Sequence, residues 1–316
     1  MRRLRLVLPL AALLAYCGDS GPASPTSVSS VSSTGGATLS GTLVATNGGQ
    51  ALSGLTITVG TSVGQTDSTG RFSFSFPSAP GTLGVSVVGG SIVSRQTRVA
   101  VGTSRAVTLD AIAQSGGFDL GFYRQLVRNG LELTDGYRNI DRWEVAPKFY
   151  VRTVDEAGQA MPAAITTRVA QGLVEAVTLW TGGKFASKVD LGTDTREGID
   201  GWVTVKFYNP SDATACGRSE VAGTRMWLDY LDSKCKCGGV VAPSVVVHET
   251  GHILGFWHVD NPKDVMYRQL TTCDMVPSDR EKYHAAIAYS RPIGNADPDT
   301  DPTATVLRSR EKTVID

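Results

Sequence analysis

The chain has 316 residues, thirty basic and thirty acidic side chains, an apolar share of 41% and a charged share of 19%. That length suits about two domains, and the composition is that of a soluble globular protein. With no block of like charge beyond the N-terminus, nothing points to a nucleic-acid partner, which would call for a clustered basic surface.

The chain opens with a basic MRRLR segment and the apolar run LVLPLAALLAY, too short to span a bilayer, closed by Cys17. This is the pattern of an export signal over residues 1–17. Leu14-Ala15-Tyr16-Cys17 resembles a bacterial lipoprotein signal, in which the cysteine takes a lipid and becomes the mature N-terminus, although Tyr16 is larger than that pattern's usual residue. The resemblance implies an exported chain anchored at the bacterial cell envelope, touching the membrane only through a lipid on Cys17. A conventionally cleaved, secreted form is the alternative. Residues 18–36 are nearly all Ser, Thr, Pro and Gly, the composition of a flexible linker.

From 37 to 113 the sequence alternates apolar and polar residues between turns: TLSGTLVAT, LTITVG, RFSFSFP, TLGVSVVG, RQTRVAVG and RAVTLDAI. A period of two buries one face of a sheet, so this stretch predicts an all-β sandwich. Its DSTGRFSF turn and strand resemble the carboxypeptidase regulatory-like domains that accompany secreted proteins. With no His or Cys in it, a spacer or adhesion role is the plain expectation.

Composition turns charged and aromatic near 118, where a second domain is predicted to run to 292. A strand is expected at 142–151. Pro162 opens a long helix in which Ile165, Val169, Leu173, Val177 and Trp180 recur at helical spacing, and Gly182-Gly183 close it. Strands are expected at FASKVDLG, GWVTVKFYN and TRMWLDYL, and a closing helix from Ser278, a natural N-cap with acidic Asp279 and Glu281 behind it. The remainder, 293–316, is rich in Asp, Pro and Thr and reads as a disordered polar tail.

Three of the chain's four histidines lie in HETGHILGFWH. His248 and His252 stand one helical turn apart on one face, within reach of a single ion at about 2.0–2.1 Å. Pro243 opens that helix, and Gly255 falls where it must stop and turn, bringing His258 back. Three nitrogen ligands leave a fourth position open for water, the mark of a catalytic Zn2+ site. Glu249, rotated about 100° from His248, is aimed beside the metal, where a carboxylate serves as general base toward a water held there. His284, the fourth histidine, is given no role.

HETGHILGFWH with Asp264-Val265-Met266-Tyr267 resembles the HExxHxxGxxH signature and Met-turn of the metzincin metallopeptidases, nearest to the matrixin type. The resemblance implies His248, His252 and His258 as ligands, Glu249 as catalytic base, Gly255 as the turn, and Met266 with Tyr267 as support beneath the metal. Val259 after the third histidine fits none of the usual subgroups, and Arg268 stands where an extra tyrosine ligand would be needed. The fold expected is therefore multidomain: an N-terminal all-β sandwich, then an α+β metzincin-like domain with a twisted sheet, a long backing helix, an active-site helix and a C-terminal helix. The function expected is zinc-dependent endopeptidase action on extracellular proteins or peptides; the alternative is a catalytically silent surface-binding or adhesion protein retaining this fold. Substrate is expected beside an edge strand, taken as TRMWLDYL at 224–231, with a pocket wall from Tyr267 and Leu270.

Besides Cys17 there are Cys216, Cys235, Cys237 and Cys273, an even number in an exported chain, which predicts two disulfides. Pairing Cys235 with Cys237 is geometrically poor, so Cys216 joins one of them and Cys273 the other, in either arrangement; a CxC metal site is the competing reading. Asp190, Asp194 and Asp200 in DLGTDTREGIDG fit a Ca2+ loop and a plain turn alike.

Overall fold

A computed structural model describes residues 36–102, 104–133, 135–208, 215–270 and 272–316. The export signal with Cys17, and the linker up to residue 35, lie outside them. No helix among the described residues is long and apolar enough to cross a membrane.

The alternating N-terminal stretch forms seven strands: β1 (Ala37–Ala45), β2 (Thr56–Val59), β3 (Ser62–Gln65), β4 (Arg71–Phe76), β5 (Gly81–Val88), β6 (Arg95–Val101) and β7 (Ser104–Ala111). They make a three-stranded sheet, β4-β1-β7, and a four-stranded sheet, β3-β2-β5-β6. Leu39, Leu43, Ile57, Phe72, Phe74 and Val87 from the two sheets meet in one core, as the period-two pattern requires. The turn into β4 is built by Asp67, whose Oδ1 accepts from the Thr69 and Arg71 amides at 2.8 and 2.9 Å.

The C-terminal part adds α1 (Leu120–Arg128), β8 (Lys148–Arg152), α2 (Ala163–Thr181), β9 (Val189–Gly192), β10 (Trp202–Tyr208), β11 (Gly217–Glu220), β12 (Arg225–Asp229), the small hairpin β13 (Lys236–Cys237) and β14 (Val240–Val241), α3 (Pro243–Leu254), α4 (Asp279–Tyr289) and β15 (Val314–Ile315). One six-stranded sheet runs β15-β11-β12-β10-β8-β9. β9, β8, β10 and β12 are mutually parallel, and β11 turns antiparallel to β12. Central β10 buries Val203, Val205 and Phe207, the near-continuous apolar run of a strand covered on both faces. α2 turns Ile165, Val169, Leu173, Val177 and Trp180 inward and ends at Gly182 in the left-handed conformation.

Three expectations are corrected here. The strand expected at 142–151 runs only over Lys148–Arg152; Trp143 instead points into the core and its Nε1 donates to the Ile253 carbonyl at 2.9 Å, closing the end of α3. β12, expected as an edge, is interior, because the unpredicted β11 covers it. Residues 293–316 are not a disordered tail. Asp297 pairs with Arg124, Asp299 with Arg291, and Asp301 with Arg95, and β15 joins the sheet. The polar composition that suggested disorder serves an ionic seam whose arginines lie elsewhere in the chain.

That seam also binds the N-terminal sheets to the rest. Buried Arg291 donates to Asp299 at 2.7 and 2.8 Å, to Asp110 at 2.5 Å and to the Thr46 hydroxyl at 3.0 Å. Arg95 grips both oxygens of Asp301 at 2.7 Å. The Gln96 amide donates to the Asp299 carbonyl, and the Asp301 amide returns a bond to Gln96. Gly35–Asp316 accordingly form a single compact unit.

The disulfides are Cys216–Cys235 and Cys237–Cys273, with Cα separations of 5.1 and 5.9 Å. A CxC metal site is thereby ruled out, since all four sulfurs are bonded. The first bridge ties the start of β11 to the loop before the β13–β14 hairpin. The second brings in Cys273, whose carbonyl accepts from the Ser244 amide at 3.0 Å in the first turn of α3. Cross-links of this kind restrict the unfolded chain by about 2–4 kcal/mol each, here beside the active-site helix.

Candidate metal centre

α3 starts at Pro243, whose missing N–H costs nothing at that position, and stops at Gly255, which adopts φ +108. A Cβ at 255 would run into the Asp141 carbonyl, so glycine alone permits the turn that brings Phe256–His258 back across the helix. The result places one nitrogen from each of His248, His252 and His258 within 4.8 Å of the others. All three side chains are buried, at 3, 0 and 2% exposure.

Each imidazole is fixed from behind. His248 Nδ1 donates to the Val265 carbonyl at 2.6 Å, His252 Nδ1 to the Phe256 carbonyl at 2.8 Å, and His258 Nδ1 to Glu132 Oε1 at 2.7 Å. Carbonyls only accept, so Nδ1 carries the proton in His248 and His252 and their Nε2 lone pairs are left free. Those two Nε2 atoms lie 3.0 Å apart, and His258 Nε2 has no hydrogen-bond partner in the protein. Two lone pairs that close repel unless a cation lies between them. Two nitrogens bound tetrahedrally to Zn2+ would stand about 3.3 Å apart, so the donor set fits this ion.

Burial, with His258 beside it, pushes the His248 imidazole down to about 3, and burial with both neighbouring rings holds His252 well below its usual value. Both are neutral, the form a metal needs. For Glu132 burial works in the opposite sense, but the hydrogen bond from His258 and the Arg268 guanidinium hold the carboxyl below its ordinary range. It is therefore an ionised acceptor. Glu132, in the loop after α1, carried no signal in the sequence. Replacing it with Ala is expected to weaken zinc binding about 10- to 100-fold, the usual effect of losing such a partner. Competition with a fluorescent chelator measures this, and unchanged affinity would remove Glu132 from the centre.

Glu249 lies one residue beyond His248, 2% exposed. Burial alone pushes its carboxyl up to about 8; a dication at the three histidines would favour the ionised form, the one that can accept a proton. Its Oε2 has no partner, and the carboxylate lies so close to Gly217 that a Cβ there would stand 2.6 Å from Glu249 Cδ. β11, which the sequence reading missed, thus supplies a residue whose lack of a side chain leaves the Glu249 carboxyl its place.

In the turn that follows the third histidine, Met266 is wholly buried with its sulfur against Gly251 of α3, while Tyr267 is half-buried and Leu270 only partly packed on the core. Glu281 of α4 holds this turn by accepting from the Val265, Met266 and Ser278 amides at 3.2, 2.9 and 2.7 Å; the last belongs to the capping box with Ser278. His284 is structural: its Nε2 accepts from the Asp119 amide at 3.0 Å. The Ca2+ loop is not supported. Asp190, Asp194 and Asp200 are exposed and form no cluster with reach for one ion among the described residues.

Residues 184–282 match the family model of the matrixins, peptidase family M10. Taken with the converging histidines, this match defines the site as that of a zinc metallopeptidase. None of the curated proteins matches the chain. Among solved structures, an archaemetzincin from Archaeoglobus fulgidus, complexed with malonate, aligns at 14% identity and TM-score 0.29, covering 43% of this chain and 99% of that one. An archaemetzincin from Methanopyrus kandleri aligns at 13% identity and TM-score 0.34, covering 48% and 98%.

Proposed function

We propose that the chain is a zinc endopeptidase acting outside the cytoplasm on extracellular proteins or peptides, with Glu249 as the catalytic base. The observation that carries this reading is the unpartnered Glu249 carboxylate oxygen beside three histidines whose metal-binding nitrogens converge. His248, His252 and His258 would hold a zinc ion, which when bound would serve as a Lewis acid toward the scissile carbonyl and toward water. Glu249 takes the proton of the attacking water and later delivers it to the leaving amide nitrogen. Its burial excludes bulk solvent that would compete for that proton, and Gly217 keeps open the space in which the carboxylate moves. Export is supported by the basic and apolar N-terminus ending at Cys17 and by the two disulfides, which persist in oxidising compartments.

Incubating the zinc-loaded protein with a peptide library, and mapping products by mass spectrometry, tests the reading. Internal peptide bonds are expected to be cut, cutting is expected to cease with a chelator, and added zinc should restore it. A folded, zinc-loaded chain that cuts nothing in the library would reject it.

A further inference from the structure

β11 comes up against the Glu249 carboxylate through Gly217. Its outer edge is where an extended peptide could add itself to the sheet by main-chain hydrogen bonds. That edge is taken by the chain itself. β15 lies antiparallel on it, with Ile315 opposite Ser219 and Val314 opposite Glu220, and the Val221 amide donates to the Thr313 carbonyl at 2.9 Å. This register sets Asp316 opposite Arg218, where the two side chains form an ion pair at 2.9 Å, and the neighbouring residue of β11 is Gly217, against which the Glu249 carboxylate lies.

The side chains seat as a bound peptide's would. Ile315, 8% exposed, packs with Val221 and Trp257 in a small apolar cluster, while Val314 points outward at 47% exposure. The pairing spans two residues only. Upstream the segment is moored by Lys312 on Asp141 at 2.7 Å and by the Arg308 guanidinium 3.4 Å over the Trp143 ring. Between mooring and strand lies a cavity of about 420 Å³ lined by residues including Tyr137, Val221, Trp257, Leu307 and Thr313. A weakly paired strand on a fixed tether is a reversible occupant held at high local concentration.

We propose that residues 313–316 occupy the substrate's lane along β11 as an intramolecular competitor, and that the lane selects an aliphatic side chain at the Val221–Trp257 seat followed by an acidic one at Arg218. The inference rests on the peptidase reading for the lane's role in catalysis, whereas occupancy of β11 can be measured without catalysis. A tethered segment with an effective concentration on the order of 1 mM, and an affinity near 0.1 mM, depresses kcat/KM about tenfold.

The test compares three zinc-loaded proteins: the full chain, a chain stopped after Lys312, and the full chain carrying Ile315→Asp, which keeps every residue upstream should the shortened form fold poorly. Cleavage rates are read on peptides with and without an aliphatic–acidic pair. Separately, a fluorescein-labelled peptide of residues 311–316 is titrated onto the Glu249→Gln form of each, so that binding is read without hydrolysis. The proposal expects the labelled peptide to bind the shortened and Ile315→Asp proteins and not the full chain, and kcat/KM to rise about tenfold in both through a lower KM. It is overturned if the peptide binds all three alike or none of them, or if kcat/KM is equal in all. No cleavage by any form, with binding confined to the two opened proteins, would sink the peptidase reading while leaving the occupied lane standing.

Discussion

Glu249→Gln is expected to abolish measurable hydrolysis, with kcat falling about 10²- to 10⁴-fold while the protein keeps its zinc. A positioned general base contributes about that factor, which corresponds to roughly 3–5 kcal/mol of barrier. Glutamine fills the same volume, so the close approach to Gly217 is preserved, and it is neutral, as burial already favours for the carboxyl at this position. Thermal stability is therefore expected to hold. His248, His252 and His258 keep their three backing partners in the variant, so metal content measured by atomic absorption should stay at one ion per chain. Single-turnover cleavage of a library-derived peptide gives kcat. Comparable rates in the variant and the parent would remove Glu249 from the chemistry, and loss of zinc together with activity would make it a structural residue.

The parts of this centre that could be read in the sequence are those whose partners are close in the chain. His248, Glu249 and His252 share one helix, and Pro243 and Gly255 mark its ends by backbone chemistry that any chain obeys. The alternation in 37–113 and the helical spacing of Ile165 to Trp180 are likewise local. What stayed hidden depends on distant partners. Glu132 meets His258 across 126 positions, and nothing around it distinguishes it from a surface carboxylate. β11 has the sequence GRSE, with no apolar alternation; it is a strand because Cys216 is bonded to Cys235 and because β12 and β15 flank it. Missing β11 made β12 look like an edge. The choice between two disulfide pairings was closed in the same way, by distant partners: Cys216 sits at the start of β11 and Cys273 at the first turn of α3.

Asp297, Asp299 and Asp301 show the same rule at its strongest, and they lead to a second large effect. Arg291→Ala is expected to destabilise the compact unit by about 3–5 kcal/mol, the cost of stripping one partner from a buried ionic cluster. The loss exceeds that of a surface pair because Asp299 is fully buried and would keep only Arg95 and Asn295, each at 3.0 Å. Asp110 and the Thr46 hydroxyl would lose their link to the C-terminal part altogether. In a unit of this size the melting temperature should fall by roughly 10 °C. Acid should act on the same seam. Burial would raise the carboxyls of Asp110 and Asp301, but Arg291 with Thr46, and Arg95 with Thr97, hold both below their usual 3.8. Depressed carboxylates stabilise the fold above their unfolded value and lose that contribution as pH falls through their folded one, so the parent should weaken below about pH 4. Calorimetric melts of parent and variant at pH 7 and pH 3 measure both effects: the gap between the two proteins is expected to be wide at pH 7 and to narrow in acid. Equal melting temperatures at pH 7 would mean that the seam, for all its short distances, contributes nothing to holding the N-terminal sheets on the body that carries the metal centre.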